Sequence, residues 1–221
     1  MMETDNISIS EITCDSPNKR MFTVDFVGKH CTVTVTSTPS VVRRWIRSTW
    51  FFHRYLRYKL VVGLGVQWNP SSVEPAGTLQ LCVGHRCLIF QLTHSDSVPN
   101  LLRRFLNDTR TTFVGIWNHS DERRLMDSDH KLTLSSSPKD LRYSVADRLE
   151  DPDLRGASME TLVSRFFGYH GIRKDPDVAM SDWNADCLTE EQVLYAAVDA
   201  YVSFQIGSSF RWGKSGSDIG N

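Results

Sequence analysis

No apolar run in the chain reaches the roughly 18 to 20 residues that a membrane-spanning helix needs. The start, Met1-Met2-Glu3-Thr4-Asp5, has neither a basic lead nor an apolar signal core. The expectation is a soluble intracellular protein, cytoplasmic or nuclear, with no membrane partner. No Cys-x-x-Cys pair occurs among Cys14, Cys31, Cys82, Cys87 and Cys187, and their odd number argues against a secreted disulfide framework. Reduced thiols are therefore expected. Cys82, His85 and Cys87 lie close in sequence, but a structural zinc site takes four ligands and no second pair completes it. Buried thiols in a strand-turn-strand are the simpler reading. No internal repeat or low-complexity segment divides the 221 residues, which are 40% hydrophobic, enough for one substantial core and too few for two comfortable enzyme domains.

Acid is missing from one long interval. Net charge is −1, yet no Asp or Glu falls between Asp25 and Glu74, while Lys29, Arg43, Arg44, Arg47, Arg54, Arg57 and Lys59 all do. Trp45, Trp50, Phe51, Phe52, Tyr55 and Tyr58 are interleaved with them. Basic and aromatic residues mixed in this way suit a polyanion whose bases can stack, which makes Arg43, Arg44, Arg47 and Arg54, with Trp68 further on, candidate nucleic-acid contacts. An amphipathic helix with merely solvated arginines accounts for the same pattern.

The polar, patternless residues 1–20 and the Gly- and Ser-rich residues 211–221 read as flexible tails around a folded region of 21–210. Phe22, Val24 and Phe26 alternate with polar residues, Gly28-Lys29 turns, and Cys31, Val33 and Val35 alternate again, as in a β-hairpin. Thr38-Pro39 then opens a helix carrying Val41, Val42, Trp45, Ile46 and Trp50. Leu60 to Val66, Leu79 to Val83 and Leu88 to Leu92 read as three strands of an antiparallel meander. A helix near Val98 to Leu106, a strand from Thr112 to Trp117, and helices near Ser120 to Met126, Ser158 to Phe167 and Thr189 to Gly207 follow. That order predicts an α/β fold with a mixed sheet flanked by helices.

The last of these helices carries the most specific pattern. Thr189 stands three residues before Gln192, a capping box that fixes its start, and Tyr195 and Asp199, four apart, share one face. Together with Met159-Glu160-Thr161-Leu162-Val163, Phe167-Gly168 and Ser181-Asp182-Trp183, the stretch from Gly156 to Tyr201 resembles the DnaQ-like (DEDD-type) 3′→5′ exonucleases. It looks closest to the plant Werner-like branch, which includes RISC-interacting clearing exoribonucleases. Tyr195-Ala196-Ala197-Val198-Asp199 fits that superfamily's third acidic motif, and Phe113-Val114-Gly115 followed by Asp121 fits its second. The resemblance implies a ribonuclease-H-like fold and removal of 3′-terminal nucleotides from single strands, RNA more than DNA. It also implies Mg²⁺ or Mn²⁺ as cofactor, Asp121 and Asp199 as metal ligands and catalytic residues, and Tyr195 as the residue that orients the attacking water. An Argonaute or RISC-type protein partner is a further expectation of the same resemblance, and the Trp- and Arg-rich surface adds the expectation of a homo-oligomer.

The departure lies in the first motif. Two divalent ions need clustered carboxylates, and the family takes an Asp and a Glu two apart on the first central strand, where alternate residues face one side. Here Gly65 and Gln67 occupy those places, the first with no ligand and the second with a neutral carbonyl oxygen. Two of four negative charges are lost. A single ion on Asp121 and Asp199, with Gln67 as third ligand, another acid such as Asp147, Asp182 or Glu191, or a neighbouring subunit would each make good part of the loss. His119 and His170 read as structural or surface residues, because Tyr195 already fills the water-orienting position. Two functions stay open: a 3′→5′ exonuclease with a degenerate first motif, and a catalytically inactive nuclease-like protein that binds nucleic acid or regulates.

Overall fold

Leu60–Gln67 (β4) is apolar almost throughout because the strand is covered on both sides, a pattern that belongs to the middle of a sheet with helices on each face. The computed structural model describes residues 7–56, 59–70 and 74–212. Around β4 it builds one eight-stranded mixed sheet from Ile7–Ile12 (β1), Arg20–Phe26 (β2), Lys29–Thr36 (β3), Thr78–Val83 (β5), Arg86–Gln91 (β6), Thr111–Gly115 (β7) and Lys139–Asp140 (β8), in the order β1-β2-β3-β6-β5-β4-β7-β8. The pairs β4-β5 and β5-β6 are antiparallel, as the meander predicts, whereas β3 joins β6 and β4 joins β7 in parallel.

Alternation along β4 separates two cores. Val62, Leu64 and Val66 face Pro39–Phe52 (α1), Asn100–Leu106 (α2) and Asp121–Asp127 (α3), packing with Trp45, Ile46, Leu102, Phe105 and Leu125. Val61 belongs to the opposite core, built with Leu141–Leu149 (α4), Met159–Phe167 (α5) and Glu190–Gly207 (α7); a short α6 spans Pro176–Ala179. Gly63, Gly65 and Gln67, at alternate positions from Val61, share that face. A Cβ on Gly63 would collide with the backbone of α7 at Ala200 and Phe204, so the glycine permits a close approach of helix to strand. Gly207 meets Val114 of β7 in the same manner, its added Cβ lying 2.6 Å from Cγ2.

Three expectations change. The first twenty residues are not all tail: Ile7–Ile12 pairs with β2 along its length, since Ile7 and Ile9 pack on the core at alternate positions of a short edge strand. Arg20 ties this strand to the start of α7, its guanidinium reaching Glu11 at 2.8 and 3.0 Å and the Leu188 carbonyl at 2.7 Å. Residues 1–6 and 213–221 of the expected tails, and Arg57 and Tyr58 of the basic block, lie outside the described residues; Trp212 donates its indole N–H to the Gly207 carbonyl at 2.8 Å. The thiols are not all reduced, because Cys82 and Cys87 face each other across β5 and β6 and form a disulfide. Cys31 Sγ lies 3.3 Å from Cys87 Sγ, and burial pushes its thiol up to about 12. His85 is exposed in the turn, so the sulfur atoms that come together are those of Cys31, Cys82 and Cys87. Finally, α4 was not expected, since its nine residues set only Leu141, Val145 and Ala146 as apolar residues on the core side, with Arg142 buried among them; Asp140 caps it by accepting from the Arg142 N–H.

Gly63→Ala is expected to cost about 1 to 3 kcal/mol of stability, the range for overpacking a rigid core contact. Urea unfolding of the variant checks this, and an unchanged midpoint would show that α7 can move away from β4.

Candidate active site

The carboxyl-terminal end of β4 opens into a cavity of about 400 Å³ lined by Gly65, Gln67, Trp68, Trp117, Asp121, Glu160, Lys174, Tyr195 and Asp199, among others. Each enters from a different element. Tyr195 and Asp199 sit one turn apart on α7, whose start is set by the expected capping box: Gln192 N–H donates to Thr189 Oγ1 at 3.2 Å and Thr189 N–H to Gln192 Oε1 at 2.9 Å. The same Gln192 uses its Nε2 on Ser181 and Asp182, and Asn69 just beyond β4 bonds Asp182 and the Trp183 N–H, so strand end, loop and helix start are joined. Asp121 enters at the first turn of α3, where the peptide dipoles favour negative charge.

Asp199 is the hub. Its Oδ2 accepts from Gln67 Nε2 at 3.1 Å and its Oδ1 from Lys174 Nζ at 2.5 Å. The Lys174 ammonium also lies 3.4 Å from the centroid of the Tyr195 ring, and its backbone N–H donates to Glu160 Oε1 at 3.1 Å. Asp121 is 5% exposed, and burial first, then the charges of Asp199 and Asp140, hold its carboxyl well above the usual carboxylate range. Burial also raises the Tyr195 phenol; Lys174 opposes that shift, while Asp199 and Glu160 add to it. Tyr195 is thus a neutral hydroxyl at ordinary pH.

Of the residues singled out from sequence, Gln67, Trp68, Asp121, Tyr195 and Asp199 all reach the cavity. Arg43, Arg44 and Arg47 do not: they lie on the exposed side of α1, and that helix packs on the sheet face opposite α7. Arg54 follows α1, its guanidinium 5.1 Å from the Phe51 ring centroid and 4.7 Å from that of Tyr55. Asp147, Asp182 and Glu191 do not line the cavity either, since Asp147 pairs with Arg155 and Asp182 accepts from Asn69. The acid that does is Glu160. Lys174 and Trp117 were also missed. Trp117 holds a left-handed φ of 57°, its indole N–H on the Ala157 carbonyl at 2.9 Å and the Arg142 guanidinium 3.3 Å from its ring centroid. No spacing rule connects position 174 with 199; only the tertiary fold does.

Gly65, where an acid is expected from the sequence, has a close neighbour across the sheet. Gly65 pairs with Gln80, and a Cβ on Gly65 would lie 2.9 Å from Gln80 Oε1. Gln80 is fully buried, donates to Thr78 Oγ1 at 2.6 Å and leaves Oε1 with no hydrogen-bond partner among the described residues. A neutral amide therefore fills the space beside Gly65.

Residues 69–211 match the family model described as 3′-5′ exonuclease, a stretch that begins just after Gln67. The chain belongs to that family. Mouse bifunctional 3′-5′ exonuclease/ATP-dependent helicase WRN is 29% identical over 152 residues, covering 66% of this chain and 10% of that protein. An Arabidopsis thaliana 3′-5′ exonuclease is 27% identical over 154 residues, 66% of this chain and 50% of that one. The chain thus spans half or less of the length of these curated relatives. Escherichia coli RNase D, an exoribonuclease involved in structured RNA processing, shares the fold with a TM-score of 0.61 and 18% identity over 79% of this chain and 43% of that one.

Within this exonuclease-family site, Asp121 sets a pH dependence. Its folded carboxyl keeps a proton that the unfolded chain has released, so its contribution to stability is full below the ordinary value near ~4 and is lost as pH rises through the elevated one. In chelator, Asp121→Asn is expected to melt above wild type at pH 7 and to lose the decline in stability that wild type shows as pH rises above the ordinary carboxylate range. A variant that melts lower at neutral pH contradicts the assignment.

Proposed function

We propose that this protein is a 3′→5′ exonuclease of the plant Werner-like type that shortens single-stranded nucleic acid, RNA in preference to DNA, through a metal site with a degenerate first motif. The observation that carries the reading is the convergence of Asp121, Tyr195 and Asp199 on one cavity, joined by Glu160. The donor set suits one divalent ion. Asp121 and Asp199 would hold Mg²⁺ or Mn²⁺, and the Gln67 amide, turned so that its oxygen faces inward, adds a neutral ligand; on the other side Gly65 and Gln80 offer no anion. Such an ion, when bound, supplies Lewis-acid polarisation of a phosphate and a lowered pKa for a water.

The chain's own groups do the remaining work. Tyr195, neutral and partly buried, orients a water by its hydroxyl. Trp68 and Trp117 supply aromatic surface for terminal bases, each backed by a guanidinium, Arg124 at 4.8 Å and Arg142 at 3.3 Å from the ring centroid. The exposed arginines of α1 hold the backbone of a longer strand away from the cavity. An Argonaute-type partner belongs to the same proposal by resemblance, and a homo-oligomer by the Trp- and Arg-rich surface.

One observation favours the second reading, an inactive nuclease-like binding protein: Asp199 is already paired with Lys174. Incubation with 3′-labelled single-stranded RNA and DNA, in Mg²⁺, Mn²⁺ or chelator, separates the two. Metal-dependent shortening is expected, faster on RNA, and Asp199→Ala should lower it beyond the ~10–100-fold that loss of an outer-shell partner costs. Tight binding without shortening in either metal establishes the second reading. For the α1 contacts, combining Arg43→Ala, Arg44→Ala and Arg47→Ala is expected to reduce the slope of log affinity against log salt by about 2, at roughly 0.7 per phosphate contact. An unchanged slope removes α1 from the interface.

A further inference from the structure

Lys174 has no place in a site made to collect divalent cations, yet the fold holds it there on several sides. Its side chain is 14% exposed, its Nζ bonds Asp199 Oδ1, and the same ammonium lies over the Tyr195 ring. Its backbone N–H is fixed to Glu160, and its segment runs from Gly171, at φ 78°, into α6, which Asp175 caps and Pro176 begins. A solvent-seeking lysine is not usually anchored at both backbone and ammonium.

The charges explain the arrangement. Three carboxyl groups line the cavity, those of Asp121, Glu160 and Asp199, and one ammonium stands among them. Once an arriving ion displaces the Asp121 proton, the three carboxylates and the lysine leave two negative charges, which match one divalent ion. A second ion would meet the ammonium at close range, where the repulsion is several times that in water. Gly65 gives it no ligand, and the amide of Gln80 occupies the adjoining space.

We propose that the Lys174 ammonium is a resident cation that takes the place of one of the two divalent ions, so that the site admits at most one. This rests on the metal-dependent reading of the cavity, and its test returns a separate number for each. Mn²⁺ is titrated into the full chain and free Mn²⁺ followed by electron paramagnetic resonance, for wild type, Lys174→Met, Lys174→Gln and Lys174→Arg, with Lys59→Met as an equal-charge control remote from the cavity. Circular dichroism confirms folding, and the two neutral variants guard against loss of one of them.

Removing the ammonium is expected to add one Mn²⁺ per chain or to tighten the existing site by about tenfold or more, while Lys174→Arg and Lys59→Met behave as wild type. The neutral variants should also gain more melting temperature from Mn²⁺ than wild type does. Neutral variants that match wild type in both number and affinity overturn the proposal, whatever wild type binds. Wild type binding two ions overturns it too and leaves the nuclease reading standing. Wild type binding none while Lys174→Met binds one supports the resident lysine and defeats metal-dependent catalysis by the natural chain.

Discussion

The contact between α7 and β4 is the constraint from which the rest of the site follows. Helix and strand come together where Gly63 has no side chain, so the helix backbone at Ala200 and Phe204 rests directly on the strand. Two turns or less from that point, Asp199 and Tyr195 are carried to the strand end where Gln67 stands, and the amide meets the carboxylate at 3.1 Å. A side chain at position 63 would lever the helix away and part these groups without touching any of them. Of the two glycines of β4, Gly63 thus serves the packing of α7, while Gly65 leaves room for the Gln80 amide.

The electrostatics of the cavity turn on a shortage of positive charge. Asp121 is buried with two acids for neighbours and is left disposed to keep its proton, whereas Asp199 has a lysine and an amide to satisfy it. Two carboxyl groups on adjoining elements therefore have different environments. That asymmetry suits a site in which one group is already engaged and the other gains most from an arriving cation.

Much of the architecture was legible in the sequence because it is written in local patterns. The β2–β3 hairpin, the strands β4 to β7 and the helices α1, α2, α3, α5 and α7 follow from alternation, helical spacing and the Thr189 capping box. What escaped notice depends on distant partners. β1 is a strand because β2 offers it an edge; α4, by contrast, is opened by a local cap, Asp140 accepting from the Arg142 N–H, which sequence reading passed over. In the cavity, the residues assigned a role by a motif were found; Glu160 and Trp117 lie in segments that resemble the family but were given no role, and Lys174 lies in a segment with no motif of its own. The arginines of α1 show the reverse: composition drew attention to them, but the sheet stands between their helix and α7.

Arg20 gives the beginning of the chain an unexpected mechanical role. One guanidinium clasps Glu11 on the outermost strand and the Leu188 carbonyl just ahead of the Thr189 cap. The amino-terminal strand and the helix bearing Tyr195 and Asp199 are thereby latched together, although nearly the whole chain separates them in sequence. Trimming the chain to its family-matching residues, 69–211, would discard the latch together with half of the sheet, including β4. The unit that must be produced whole is therefore larger than the stretch matched by the family model.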